Sequence, residues 1–155
     1  MKYFFHKSVD FSAETDDEFR KMAERFERQR IAYRKEFSTN KKKLSEDVLE
    51  LERSLHDAKI TNVASIYKEG KLDIAMEIEL ERQTTKRHLQ KGTLIHYDVT
   101  KFAIDISDHF KEGYLWYKYG ELLMEDGFWV HNFLFSYLPN ELYVKCRRVE
   151  WIAAE

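Results

Sequence analysis

The segment YLWYKYGELLMEDGFWVHNFLFSY, residues 114–137, decides how the C-terminal part of this chain folds. Its two apolar runs are joined by Glu125-Asp126-Gly127, and an Asp-Gly pair supplies the two positive-φ positions of a type I′ turn. The segment is therefore predicted to form a β-hairpin in which Glu125 lies opposite Phe128. This register decides which of its nine aromatic residues share a face of the sheet.

The predicted register sorts the hairpin side chains into two faces. It places Gly120 opposite Phe133, an arrangement in which an aromatic ring covers bare backbone. The first face is too apolar to meet water and is predicted to be core; it holds Trp116, Trp129, His131 and Phe133. The second face is polar in its middle, which is compatible with the interior of a curled sheet, a ligand cleft or a contact surface. It holds Tyr119, Glu121 and Asn132, and also Tyr117, which is predicted to lie opposite Ser136.

Residues 15–55 have the pattern of two helices. Thr15 and Glu18 form a capping box, and acidic residues fill the first turn. An apolar stripe at three-to-four spacing is the predicted partner of the aromatic face of the hairpin; it consists of Phe19, Met22, Phe26, Tyr33 and Phe37. A loop at 38–44 and a new start at Ser45 predict a second helix, and a single bent helix is the alternative.

After residue 57 the periodicity becomes that of strands. Residues 72–80 alternate cleanly, and a turn at 68–71 joins them to a strand at 60–66. A strand from 94 to about 106 contains a slip in the alternation near Thr100, which predicts a β-bulge. With the hairpin and a last strand at 142–146, about six strands follow two helices. We expect one α+β domain over residues 1–155, with a helical part at 12–56 and a curved, mainly antiparallel sheet at 57–153.

The composition excludes several classes of protein. The chain has 155 residues, a formal net charge of −2 and one cysteine, Cys146, so an intrachain disulfide and a cysteine-based zinc site are excluded. No apolar run is long enough for a signal peptide or a membrane span. We therefore expect a cytoplasmic protein without a membrane partner. No metal-ligand spacing and no phosphate-binding glycine loop occurs, so neither a metal nor a cofactor is predicted.

Few residues have the pattern of a catalytic site. His96 and Asp98 share one face of a strand and are predicted to be a solvated cross-strand pair, with a cation site or an oriented base as the alternative. His131, on the aromatic face, is predicted to be a core histidine that donates to a carbonyl, with a ligand-binding or general-base role as the alternative. Glu121 with its neighbours on the second face has acid–base character but no nucleophile. The sequence therefore favours a protein that is not an enzyme.

The strongest charge feature lies at residues 20–43, where ten basic residues accompany three acidic ones. A basic helix and loop of this kind can contact phosphates or an acidic protein, and a solvated helix face is the structural alternative. The candidate basic patch consists of Arg28, Arg34, Lys35, Lys41, Lys42 and Lys43.

Four segments together resemble a small family of bacterial cytoplasmic proteins that is known only as a domain of unknown function. The segments are 1–4 (MKYF), 55–60 (LHDAKI), 117–119 (YKY) continuing to 125–128 (EDGF), and 141–146 (ELYVKC). They cover about half of the chain. The resemblance supplies no catalytic residues. By analogy it implies an immunity-type or antitoxin-type protein that neutralises a partner by surface binding.

The leading functional hypothesis is a non-enzymatic module that binds another protein or a second copy of itself. The module is expected to present the second face of the hairpin, or the sheet edge, to its partner. This expectation rests on Tyr117 and Tyr119 on a partly polar face, since tyrosine is favoured at interfaces. The first alternative is a small-ligand protein or enzyme with a pocket between sheet and helices, in which Glu121, His131 and Tyr119 take part. The second is nucleic-acid binding through the basic helix and loop.

Overall fold

The computed structural model describes residues 15–80, 89–105, 115–135 and 141–154, and within these ranges two helices precede eight strands. The helices are α1 (Asp16–Asn40) and α2 (Glu46–Ser54), separated by a 3₁₀ turn, Lys41–Lys43. The strands are β1 (Lys59–Lys68), β2 (Lys71–Glu79), β3 (Lys91–Tyr97), β4 (Lys101–Asp105), β5 (Leu115–Glu125), β6 (Phe128–Phe135), β7 (Glu141–Cys146) and β8 (Arg148–Ala153). The predicted α+β class is confirmed.

Both helices begin where the sequence predicts. The Thr15 hydroxyl accepts a hydrogen bond from the Glu18 amide, and the Glu18 carboxylate accepts one from the Thr15 amide, which completes the capping box. The Ser45 hydroxyl caps α2 in the same way by accepting from the Val48 amide. The chain therefore forms two helices, and the single bent helix is wrong.

The eight strands form two four-stranded antiparallel sheets that are joined by a short pairing. Their order is β4-β7-β6-β5-β1-β2-β3-β8, and β1 meets β5 through only two residue pairs, Lys59 with Trp116 and Ile60 with Leu115. β3 approaches β7 and β6 approaches β8, so the two sheets face each other. The main apolar cluster lies between them and includes Phe133, Ile74 and Val144.

The predicted count of about six strands is too low for two reasons. The slip near Thr100 is a strand end and not a bulge: Asp98 has φ 52°, and the Thr100 amide donates to Lys145 O of β7. The chain thereby leaves β3 and begins β4 at the far edge of the sheet order. A second additional strand, β8, follows β7 after Arg147 and pairs with β3. Both additional strands depend on pairing with residues that are distant in the sequence, of β4 with β7 and of β8 with β3. The local alternation of apolar and polar residues cannot predict such pairing.

The hairpin register is confirmed from Tyr119 to Glu125. Asp126 and Gly127 have φ 51° and 80°, as a type I′ turn requires, and Glu125 lies opposite Phe128. A shift of one residue between Tyr117 and Tyr119 then pairs Tyr117 with Phe135. The predicted pairing with Ser136, which lies outside the described residues, is therefore wrong. The shift turns Tyr117 to the other face, where its ring packs edge-on against Phe133, 5.6 Å between centroids.

The two helices use their apolar stripes differently. The α2 stripe, Val48 and Leu51, is buried in the main cluster. No residue of α1 is buried, and Phe19 is 53% exposed. The predicted packing of the α1 stripe on the aromatic face of the hairpin is therefore wrong at Phe19, whereas Phe37 packs against the main apolar cluster. That face points into the space between the sheets, and α1 lies beside β5.

Candidate functional site

A cavity of about 690 Å³ lies between α1, α2 and the first half of β5. It forms because β1 pairs with β5 only at Leu115 and Trp116, so the rest of that β5 edge has no neighbour among the strands that the structure describes. Backbone donors at such an edge need another partner. The Leu122 amide finds one in α1, since it donates to the Tyr33 hydroxyl at 3.0 Å. The helix therefore spans the open edge, and the cavity lies behind it.

The wall of the cavity on the side of α1 combines aromatic and cationic side chains. Phe26, Arg30, Arg34, Phe37 and Lys41 line it at spacings of three or four residues, which places them along one side of the helix. The opposite wall is α2 with its C-terminal end. It adds a fourth cation and an imidazole, namely Arg53 and His56.

Two of the four cations are already paired. Arg30 makes a bidentate salt bridge to Glu27 at 2.6 and 2.7 Å, and Arg53 lies 3.5 Å from Glu50. Arg34 and Lys41 form no salt bridge with any residue that the structure describes. They therefore leave positive charge at the cavity that is not engaged in a salt bridge within the described ranges.

A buried carboxylate, Glu52, lines the cavity from α2. Its side chain is 8% exposed, and Glu52 Oε1 lies 2.9 Å from Nε2 of the buried His131. The other ring nitrogen, His131 Nδ1, lies 3.0 Å from Nε2 of the buried His96. Glu52, His131 and His96 thus form a row that leads from the cavity into the space between the sheets, and this row is called the Glu–His–His row below.

The row has a defined electrostatic arrangement. Complete burial, together with the neighbouring His131, holds the pKa of His96 well below its ordinary value, so His96 is neutral. A neutral imidazole has one donor and one acceptor nitrogen, so a single proton is shared between His96 Nε2 and His131 Nδ1. The contact between His131 and Glu52 is close enough for an ion pair. It is not an aligned hydrogen bond, since neither Glu52 Oε1 nor His131 Nε2 has such a partner among the described residues.

Two tyrosine side chains complete the cavity lining. Burial first, and the nearby Glu52 carboxylate second, raise the pKa of both Tyr33 and Tyr117 well above the ordinary value. Both hydroxyls therefore stay neutral and keep a proton to donate. The Tyr117 ring reaches over Gly120, where a Cβ would collide with its hydroxyl. Gly120 is needed at this position because any side chain would displace Tyr117.

In the comparison with protein families, a family model matches residues 6–142. The chain belongs to the family described as Protein of unknown function (DUF4085). The resemblance predicted from four segments is confirmed, and the match covers every residue of the cavity lining. No curated protein and no solved structure matches the chain.

Membrane-spanning helices and metal-binding clusters are both absent from the described part of this DUF4085 protein. No helix there is both long and apolar enough to cross a membrane. In the same ranges, no group of three or more His, Cys, Asp and Glu side chains is placed to hold a metal ion.

The structure places the sequence-predicted binding residues in different surroundings. Tyr117 lines the cavity, and His131 lies one contact behind it, next to Glu52. Glu121 and Asn132 lie opposite each other and are buried, with 0% and 8% exposure, but neither lines the cavity. The backbone of Tyr119 pairs with Leu134, and the structure describes only the backbone at this position.

The basic patch is divided between two sides of α1. Arg34 and Lys41 line the cavity. Arg28 and Lys35 are seven residues apart and share a different, exposed side, about 100° away from Arg34 around the helix axis. The remaining two residues, Lys42 and Lys43, are exposed in the 3₁₀ turn, where Lys43 Nζ lies 2.9 Å from Met124 Sδ.

His96 is the clearest correction at residue level. It is fully buried and contacts His131 and Phe133, whereas Asp98 lies beyond the end of β3 and pairs with Lys71 at 3.0 Å. The predicted solvated pair is therefore wrong. His131, predicted to donate to a carbonyl, instead contacts Glu52 and His96.

Sequence reasoning missed Glu52, although a signal was present. Glu52 falls within the α2 stripe, one position after Leu51 and four after Val48, where a solvated carboxylate is not expected. Tyr33 was predicted to be an apolar residue of the α1 stripe. Its hydroxyl group was the signal that this position has a polar partner, which in the structure is the Leu122 amide at the edge of β5. A polar group on a buried stripe indicates a buried partner or a site.

Proposed function

We propose that this protein binds a small anionic molecule with an aromatic or apolar body, and that the ligand occupies the cavity between α1, α2 and β5. The single observation that carries this proposal is the position of Arg34 and Lys41, two cations without salt-bridge partners in the described ranges, on an aromatic wall. Positive charge of this kind favours an anion, and the neighbouring Phe26 and Phe37 favour an apolar or aromatic group.

The dimensions of the cavity support a small molecule. Ligand pockets typically measure about 300–1,000 Å³ and combine apolar walls with a few polar groups. The cavity here measures about 690 Å³, and its lining combines aromatic rings with cations, the Glu52 carboxylate and two tyrosine hydroxyls. This arrangement corresponds to the first alternative from the sequence, a pocket between sheet and helices.

The same geometry favours a small ligand over the protein partner of the leading hypothesis. That hypothesis placed the contact on the second face of the hairpin or on the sheet edge, and the residues predicted for that face, Tyr117, Glu121 and Asn132, are at most 8% exposed. Interface hot spots are large side chains that a partner can reach. The bacterial and cytoplasmic setting is part of our proposal and rests on the sequence alone.

The test uses two fluorescent probes with the same aromatic skeleton. Anilinonaphthalene sulfonate (ANS) carries a negative charge, and N-phenylnaphthylamine does not. We expect the wild-type protein to bind ANS more tightly. Replacing both cations, Arg34→Gln with Lys41→Gln, removes two charge-assisted contacts and weakens ANS binding by about tenfold or more. Binding of the uncharged probe stays unchanged.

The matched control is the double variant Arg28→Gln with Lys35→Gln. It removes the same charge from the same helix, on the side that does not line the cavity. ANS affinity in this control should remain within about twofold of the wild type, because exposed distant charges are screened by salt. An equal loss in both double variants, or no saturable ANS binding at all, would refute the proposed function.

A further inference from the structure

The Glu52 carboxylate occupies a place that is expensive for a charge. Its neighbours on α2, Val48, Leu51 and Leu55, are at most 1% exposed and belong to the main apolar cluster. A carboxylate among such residues needs charge-assisted hydrogen bonds to offset the water that it loses. His131 provides a close contact without an aligned hydrogen bond.

Tyr33 is hydrogen-bonded to the Glu52 side chain, but the acceptor capacity of the carboxylate is not filled at Oε1. An ionised carboxylate offers about four lone-pair sites. Oε1 has no aligned donor among the described residues, and Glu52 lines the cavity. A buried acceptor in this condition gains from a donor that enters the cavity.

The cavity cations and Glu52 are not each other's partners. None of Arg30, Arg34, Lys41 and Arg53 forms a salt bridge with Glu52, and its close contact in the described ranges is the imidazole of His131 at 2.9 Å. The cavity therefore has two separate poles. One is the cationic side of α1, and the other is the carboxylate of α2, whose wall also carries Arg53 in its salt bridge with Glu50.

We infer that the ligand carries a primary amine as well as its anionic group, and that Glu52 accepts hydrogen bonds from that amine. The ligand class is thus an aromatic or apolar molecule with an ammonium group and an acidic group, such as an amino acid or its derivative. The inference rests on the proposed function, because it assumes that the anionic group lies at Arg34 and Lys41. An ammonium group satisfies the carboxylate better than a neutral donor, since both partners of the hydrogen bond are charged.

The amine also fits the rest of the local chemistry. The neutral Tyr33 and Tyr117 hydroxyls lie near Glu52, and their oxygens can accept further hydrogen bonds from an ammonium group, which has three donors. His131 orients the carboxylate from behind. Its role is to position Glu52, and it does not contact the ligand.

The experiment compares three naphthyl compounds by displacement of ANS. Naphthylalanine has both the ammonium group and the carboxylate, naphthylpropionate lacks the amine, and naphthylethylamine lacks the carboxylate. We expect naphthylalanine to bind about tenfold more tightly than naphthylpropionate, the value of one charge-assisted hydrogen bond. In Glu52→Gln, which has nearly the same shape without the charge, this preference falls to about twofold or less.

The variants separate the two poles of the cavity. Arg34→Gln with Lys41→Gln should weaken both acids by a similar factor and leave the preference for the amine intact. Glu52→Asp keeps the charge but shortens the side chain, so it should retain part of the preference, and it serves as the test if Glu52→Gln does not fold. The fluorescence of the buried Trp129 and Trp151 reports folding in every variant.

The outcomes distinguish this inference from the proposed function. If the two acids bind equally, or the preference survives in Glu52→Gln, the amine inference is overturned while anion binding stands. If neither acid displaces ANS, the amine inference is overturned as well. If the Arg34 and Lys41 replacements leave the affinity of both acids unchanged, the anionic pole and the proposed function both fail.

Discussion

Replacing His131 by phenylalanine tests whether the Glu–His–His row stabilises the fold. His131 is 1% exposed, and its ring stacks on Phe133 with 3.9 Å between centroids. Phenylalanine keeps a planar ring of similar size at this position. The change therefore removes the two ring nitrogens, and with them the contacts to Glu52 at 2.9 Å and His96 at 3.0 Å, with little change in packing.

The expected cost follows from the burial of the two partners. Leaving a buried charge without its partner costs about 3–5 kcal/mol, and a lost neutral hydrogen bond costs about 1 kcal/mol. Glu52 lines the cavity, so water replaces part of the imidazole contact and the total is nearer the lower end, about 3 kcal/mol. For a chain of this length that corresponds to a decrease in Tm of roughly 6–12 °C. Domains have about 5–15 kcal/mol of stability, so the variant should still fold.

The assay is urea unfolding followed by the fluorescence of Trp129 and Trp151, which are 3% and 6% exposed and report the core. His56→Phe is the control, since His56 lies outside the row, its side chain is 48% exposed, and the change should cost no more than about 0.5 kcal/mol.

A double variant supplies the refutation. Adding Glu52→Leu to His131→Phe removes the orphaned charge and should restore at least about 1 kcal/mol, because an apolar pair replaces a broken ion pair. The reasoning is refuted if His131→Phe lies within about 1 kcal/mol of the wild type, or if the double variant is no more stable than His131→Phe.

Three further predictions concern other parts of the molecule. Gly120→Ala should destabilise the protein by about 1–3 kcal/mol in urea unfolding. The reason is that the new Cβ would lie 2.7 Å from the Tyr117 ring and 2.8 Å from the backbone oxygen of Asn132. A cost below about 0.5 kcal/mol would contradict this close packing. Cys146 is buried and its pKa is raised to about 12, so a thiol reagent at about pH 8 should modify the native protein far more slowly than the urea-unfolded chain, and equal rates would show that the thiol is accessible. The pKa values of three buried groups are higher in the folded than in the unfolded state, namely those of Tyr33, Tyr117 and Cys146. The contribution of each group to the free energy of unfolding is therefore complete below its ordinary pKa. It decreases as the pH rises above that value, by about 1.4 kcal/mol per pH unit for each group. Urea unfolding between about pH 8 and pH 11 measures that loss, and Tyr117→Phe should make it less steep; a pH-independent midpoint would contradict it.

The features that could be predicted from the sequence are those fixed by a few neighbouring residues. The Asp126-Gly127 turn set the register for the pairs from Tyr119 to Glu125, and the caps at Thr15 and Ser45 set both helix starts. The register failed beyond Lys118, because a bulge there depends on the packing of Tyr117 over Gly120. An alternation pattern cannot report a bulge that tertiary contacts stabilise.

The candidate site was harder to predict because its members are far apart in the chain. Glu52, His96 and His131 come from α2, β3 and β6, and each is unremarkable in its local pattern apart from the position of Glu52 on a buried stripe. The split of residues 94–106 into β3 and β4 has the same cause, since the pairing of Lys101 with Lys145 is decided across the sheet. Of the predicted site residues, Tyr117, Arg34 and Lys41 line the cavity, while Glu121 and Asn132 do not.

The attachment of α1 has a consequence for how strongly different parts of the protein resist opening. This helix provides one wall of the cavity although none of its residues is buried, and a hydrogen bond from β5 to Tyr33 is among its few ties to the sheets. The free energy of the opening that permits amide hydrogen exchange should therefore be lower in α1 than in the central strands. This means that α1 can detach from the sheets without global unfolding. A ligand that contacts both the cations of α1 and Glu52 of α2 would stabilise the docked position of α1. Its binding would therefore slow the hydrogen exchange of the α1 amides.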